Sequence, residues 1–115
     1  MKDFLQSFIY AIHGIWSGIS DQRNLKVQLG VAIIVIGAGF YLSITSIEWC
    51  ILLICIALVI GLELVNTALE NLVDLVTLER HPLAGKIKDI AAGAVLMVSV
   101  VSVIVGLIVF RKYLI

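Results

Sequence analysis

Apolar residues recur at helical spacing from the start of the chain. Phe4, Leu5, Phe8, Ile9, Ile12, Ile15, Trp16 and Ile19 fall within about 140° of helical arc, at ~100° per residue. Lys2, Asp3, Gln6, Tyr10, His13, Ser17 and Ser20 take the other side. The spacing predicts an amphipathic helix over 3–20, lying in a membrane interface or packed by its apolar face on other protein. A polar stretch follows at Asp21–Lys26 (DQRNLK). Three longer apolar runs then predict transmembrane helices over 25–44, 48–76 and 86–110, the last containing the uncharged run Ile90–Phe110. The connections between them are SITS at 43–46 and TLERHPLAG at 77–85, where Pro82 is expected to break the helical pattern.

Composition leaves one class open. Of 115 residues 62% are hydrophobic and 14% charged, and a single proline leaves little room for loops. The expected fold is an all-α membrane protein, one membrane-embedded domain over 1–115, with an interfacial helix and three spans. Formal net charge is zero and no basic cluster is present, so nothing points to nucleic acid. No cleavable signal peptide is expected, because no basic region precedes an apolar core with a small-residue cleavage site. Cys50 and Cys55 lie about 140° apart on one predicted helix, too far round to bridge each other. Lys2, Arg23, Lys26, Arg80, Lys86 and Lys88 gather at one set of span ends, against Arg111 and Lys112 at the other. That imbalance predicts a cytoplasmic N-terminus and a cytoplasmic 77–88 segment.

The second span carries the chemistry. Glu63, Asn66, Glu70 and Asp74, spaced by three, four and four residues, share one stripe of a helix within roughly 80° of arc. Carboxylates at membrane depth are costly and persist where they face a protein interior, an ion or water. If Trp49 marks the outer interface, about 20 residues reach the inner one, near residue 68. Glu63 then lies roughly 7 Å inside the hydrocarbon boundary, with Glu70 and Asp74 at or beyond the inner surface. Lys88, Asp89 and the 21–26 break fall at the same level, so acids, an amide and a lysine converge where a soluble reactant can meet a lipid headgroup.

Hard oxygen ligands of this kind suit Mg²⁺, which is usually held by one or two acids plus substrate phosphates. A lysine can balance phosphate charge, and a carboxylate set in low dielectric is equipped to take a proton from a lipid hydroxyl. Neither GxxxxGK[ST] nor a kinase glycine loop occurs, and the spans lack zinc-type His or Cys clusters. Taken singly, Asn66 or Asp74 reads as an interhelical hydrogen-bonding residue, and Lys88–Asp89 as an interfacial charge pair. On the residues alone, a cation pathway or proton relay stays open beside an enzyme.

The segments GLELVNTALENLVDLV and HPLAGKIKDIAAGAVL closely resemble the bacterial integral-membrane lipid kinases, that is, the small diacylglycerol kinases and their undecaprenol kinase relatives. The patterns E-x-x-N-T-A-x-E-x-x-x-D and K-D-x-A-A-G-A-V-L carry the resemblance, which extends from SFIYAIHG at 7–14 to the last span. It implies an inner-membrane homotrimer with MgATP sites shared between subunits at the cytoplasmic interface. By the same resemblance Glu63 is the catalytic base toward the lipid hydroxyl, and Asn66 belongs to the same site. Glu70 is a magnesium ligand, Lys88 contacts the phosphates with Asp89 as its partner, and His81 lies in the loop over the nucleotide. Undecaprenol is the expected substrate and diacylglycerol the alternative. The family's second metal-binding glutamate falls in a pattern like E-R-N, whereas this chain reads D-Q-R-N. Gln22 therefore offers a carbonyl oxygen without charge, and the neighbouring Asp21 points about 100° away.

Overall fold

Helix occupies nearly the whole chain, and each interruption has a local cause. The computed structural model describes residues 2–115 and holds α1 (Lys2–Asp21), α2 (Arg23–Leu42), α3 (Ser46–Val76) and α4 (Pro82–Leu114). The last three are long and apolar enough to cross a membrane. At ~1.5 Å per residue α3 and α4 are roughly 46 and 50 Å long, beyond a ~30 Å hydrocarbon core, so their ends project into the headgroup zones. Large side chains such as Ile33, Ile54, Met97 and Ile108 are exposed. In water that surface would aggregate; in acyl chains it is the matching solvent.

The break between α1 and α2 is shorter than the expected Asp21–Lys26. Only Gln22 leaves the helix, with φ −111° and ψ 119°, while Gln22 N–H still donates to Gly18 O and Lys26 N–H to Gln22 O. Backbone pairing across the corner outweighs the polar composition. Gly18, the one buried residue of α1, lets the helix rest on α3: a Cβ there would come within 2.5 Å of a Leu64 methyl. Phe4, Phe8, Ile12 and Trp16 are uncovered by the rest of the chain, as suits an apolar face turned to lipid.

At the opposite end the turn is tighter than the expected SITS loop. Ser43 adopts the left-handed conformation, with φ 52° and ψ 54°, and ends α2; Ile44 turns inward and is buried. Helix α3 starts at Ser46 rather than Glu48, because Thr45 and Glu48 form a capping box. Glu48 N–H donates to Thr45 Oγ1 at 3.2 Å, and Thr45 N–H to Glu48 Oε1 at 2.9 Å. Gly39 brings α2 against the Trp49 ring, where a Cβ would sit 2.7 Å from Cη2. Ile44, Leu52 and Val109 form the buried cluster beside this ring.

Glu48 also fastens α4. It accepts a hydrogen bond from the Tyr113 hydroxyl and pairs with Lys112 at 3.0 Å. Lys112, one of the two basic residues on the sparse side, is thus held by an acid of the same end. Glu48→Ala removes the capping box and both α4 contacts, so its thermal midpoint in detergent, followed by circular dichroism, is expected to fall below wild type. An unchanged midpoint counts against this fastening.

The 77–85 connection is also shorter than expected. Pro82 starts α4 instead of breaking a helix, since its fixed φ and missing N–H suit a first helical position. His81 precedes it as the cap: its Nδ1 accepts from Leu83 N–H at 3.1 Å. Helix α3 is the central element, with α4 lying along it and α2 on it more lightly. A long groove stays open between α2 and α4.

Candidate active site

The first half of the polar stripe of α3 turns inward, while Glu70 is half-buried and Asp74 exposed. Glu63 is 4% exposed, Asn66 6% and Thr67 7%, the three buried polar or charged side chains among the described residues. Carboxyl burial in a span is costly unless partners are at hand. Glu63 finds one on α2, where Gln28 Nε2 donates to its Oε2 over a long 3.5 Å. Thr67 returns its hydroxyl to Glu63 O at 2.9 Å and so leaves the carboxyl free to face α2.

One turn on, Asn66 Nδ2 donates to Glu70 Oε1 at 3.4 Å. Two acceptors are left over. Gln28 Oε1 and Asn66 Oδ1 are buried and have no hydrogen-bond partner. An unpaired buried amide oxygen costs about 1–3 kcal/mol, a strain that sites built for a ligand tolerate.

Three further predicted residues, Asp74, His81 and Lys88, form a second cluster where α3 ends. Asp74, Lys88, Arg80 and His81 line a cavity of about 480 Å³ between the end of α3 and the start of α4. Lys88 Nζ pairs with Asp74 Oδ1 at 2.7 Å, both groups partly exposed. The lysine's partner is thus Asp74 and not its neighbour Asp89, which is exposed and does not line the cavity. The reason is helical: adjacent residues diverge by ~100°, whereas Asp74 faces α4 across the interhelical seam. His81 lines the cavity while its Nδ1 is committed to the cap, which leaves Nε2 as its free nitrogen.

Along α3 the two clusters are roughly 16 Å apart, eleven residues at ~1.5 Å each. Within one chain, then, Glu63 meets Gln28 and Asn66 meets Glu70, but Lys88 does not meet Glu63. Gln22 is half-buried at the α1–α2 corner, and its side chain makes no capping bond there. Among the described residues no three of His, Cys, Asp or Glu lie close enough together to enclose a metal ion. Gln28 and Thr67 escaped the sequence reading. Gln28 carried a legible signal, a lone amide inside an apolar span, the same criterion that picked out α3.

Comparison with known proteins bears on this arrangement directly. The family described as "Prokaryotic diacylglycerol kinase" matches residues 9–110. The chain is 43% identical to an undecaprenol kinase of Bacillus subtilis over 96% of this chain and 89% of that protein. It is 42% identical to a diacylglycerol kinase of Synechocystis over 90% of this chain and 60% of that one. A Haemophilus influenzae diacylglycerol kinase is 32% identical over 96% and 94%. A helical protein with three helices of spanning length and buried polar side chains on the second of them, matched over almost its whole length, belongs to the prokaryotic diacylglycerol kinase family of membrane lipid kinases.

Proposed function

We propose that the protein transfers the γ-phosphate of ATP to the hydroxyl of a membrane lipid alcohol, with undecaprenol preferred. The buried carboxylate of Glu63 facing Gln28 carries the reading, because counting along the span from Trp49 puts this base near the inner hydrocarbon boundary, where a lipid hydroxyl lies. In the reaction Glu63 takes the hydroxyl proton as the lipid oxygen attacks the γ-phosphorus. The new O–P bond forms as the bond to the bridging oxygen breaks, and ADP leaves. The Gln28 amide holds the carboxylate toward α2, where the alcohol would enter. Lys88 and Arg80 at the outer cavity would take the phosphate charge, with Asp74 keeping the lysine directed; His81 lines the same cavity, and Asp89 follows Lys88 in the chain outside it.

Glu70 and the unpartnered Asn66 Oδ1 offer hard oxygens one turn apart, a donor set that fits Mg²⁺ completed by phosphates and water. Bound there, the ion would neutralise phosphate charge as transfer proceeds. Gln22 would add a neutral ligand. Gln22→Glu is accordingly expected to lower the Mg²⁺ concentration needed for half-maximal rate, and an unchanged magnesium titration would remove Gln22 from the site.

The ~16 Å between Glu63 and Asp74 favours a site completed by a second copy, in keeping with a homotrimer. The six-to-two distribution of basic residues favours the inner membrane with this site on the cytoplasmic side. For the substrate, identities of 43% and 42% do not separate the two lipids, but of the relatives matched along most of their length the undecaprenol kinase is 43% identical and the Haemophilus influenzae diacylglycerol kinase 32%. A radiolabelled-phosphate assay offering undecaprenol and diacylglycerol together tests the reading. Label in undecaprenol is expected, preference for diacylglycerol reverses the substrate assignment, and label in neither rejects the activity.

A further inference from the structure

We propose that His81 is a proton-released cap that ties the start of α4, and with it the lysine cavity, to the pH on its own side of the membrane. The proposal rests on the lipid-kinase reading and concerns the regulation of that same site. It starts from one contact, in which Leu83 N–H donates to His81 Nδ1 at 3.1 Å. A backbone N–H only donates, so Nδ1 keeps its lone pair and the ring proton sits on Nε2. A second proton can enter only at Nδ1, where it displaces the Leu83 N–H. Cap and positive charge on this ring are therefore mutually exclusive.

The first turn of α4 has little else to hold it. A helix leaves its first N–H groups without partners inside it. Pro82, at the first position, has none, and Gly85 N–H returns to His81 O at 3.0 Å. Leu83 is thus the first residue of α4 with an N–H to satisfy, and His81 satisfies it. Gly85 in the same turn is a poor helix former, so local propensity adds little support. That turn also builds the site. Ala84, Gly85 and, one turn on, Lys88 line the cavity of about 480 Å³ together with His81 itself.

The surrounding charges leave the decision to the cap. Asp74 on α3 and Glu79 in the connection favour a proton on the ring, while Lys88 on α4 and Arg80 in the connection oppose it. Asp74 and Lys88 pair at 2.7 Å and largely cancel. The positive end of α4 adds to the opposition. His81 is exposed, so protons reach it freely. Histidine side chains change charge between about pH 5 and 8. Above that window the cap is whole. Below it Leu83 N–H loses its acceptor, the first turn frays, and Lys88 loses its fixed place in the cavity wall.

NMR in detergent micelles tests the contact at its source. With isotope-labelled histidine, and His13→Gln to assign the two rings, His81 at high pH should carry its proton on Nε2. A proton on Nδ1 instead overturns the proposal. The Leu83 amide signal should shift as pH falls from about 8 to about 5. In His81→Asn it should stay in place, because the asparagine oxygen caps the turn throughout that range. A Leu83 signal that holds still in the wild type, or titrates equally in the variant, is equally fatal.

The link to the site is read in turnover. Between about pH 8 and pH 6 the wild-type KM for MgATP should rise roughly fivefold more than that of His81→Asn, the size of a typical cap effect. Comparing each protein with itself cancels the titration of ATP and of the shared side chains. An equal rise in both breaks the link between cap and cavity. If the protein transfers phosphate to no lipid, the lipid-kinase reading fails by itself, and the NMR titration still decides the cap.

Discussion

Glu63→Gln is expected to lower kcat for lipid phosphorylation by roughly 10²–10⁴-fold, the usual contribution of a positioned general base. Glutamine has nearly the same shape and can still bond Gln28, so geometry is preserved while the proton acceptor is lost. The KM for MgATP should change far less than kcat, since Glu63 is neither one of the oxygens proposed for Mg²⁺ nor one of the side chains proposed to take the phosphate charge. Stability should not suffer either, because a neutral amide is cheaper to bury in a span than a carboxylate held by one long hydrogen bond. Single-turnover phosphate transfer and thermal unfolding in the same detergent separate these effects. Wild-type turnover in a folded Glu63→Gln protein would show that the proton goes elsewhere.

Glu70→Ala should act on a different quantity. It removes the acid beside the unpartnered Asn66 oxygen, so the magnesium requirement should rise at least tenfold and kcat/KM for ATP should fall by about 10²–10³-fold. Raising magnesium should recover part of the rate, which it would not do for Glu63→Gln. A magnesium titration that superimposes on wild type would exclude Glu70 as a ligand. The two variants together distinguish a base that serves the lipid from an acid that serves the phosphates.

Several features of the fold could be read directly along the chain. Three apolar runs of spanning length, the amphipathic segment before them and the inward-facing Glu63 and Asn66 of α3 all follow from one-dimensional patterns, and the structure carries each. Helix ends were less legible. Thr45-x-x-Glu48 is a capping signature, yet the polar and aromatic pair Glu48–Trp49 drew the expected start two residues late. Pro82 illustrates the same ambiguity, because a proline that ends one helix is equally suited to begin another. Ends are settled by where a few hydrogen bonds go, and composition over a window does not resolve that.

Pairing across helices lay further from view. Lys88 has Asp89 beside it in sequence but Asp74 beside it in space. Glu48 meets Lys112 and Tyr113 from the far end of the chain. The Gln28 amide reaches Glu63 only because α2 packs on α3 in a particular rotation.

What the sequence determined by itself is the solvent of each segment and the face each helix must bury, because hydrophobic periodicity and the cost of charge in lipid are local properties of the chain. What only the tertiary structure decided is which polar groups meet and which are left over. Those depend on helix rotation and register, set by contacts such as Gly18 on Leu64 and Gly39 on Trp49, whose partners lie far away in sequence. The unpartnered oxygens of Gln28 and Asn66 are consequences of that packing and are written in neither residue alone.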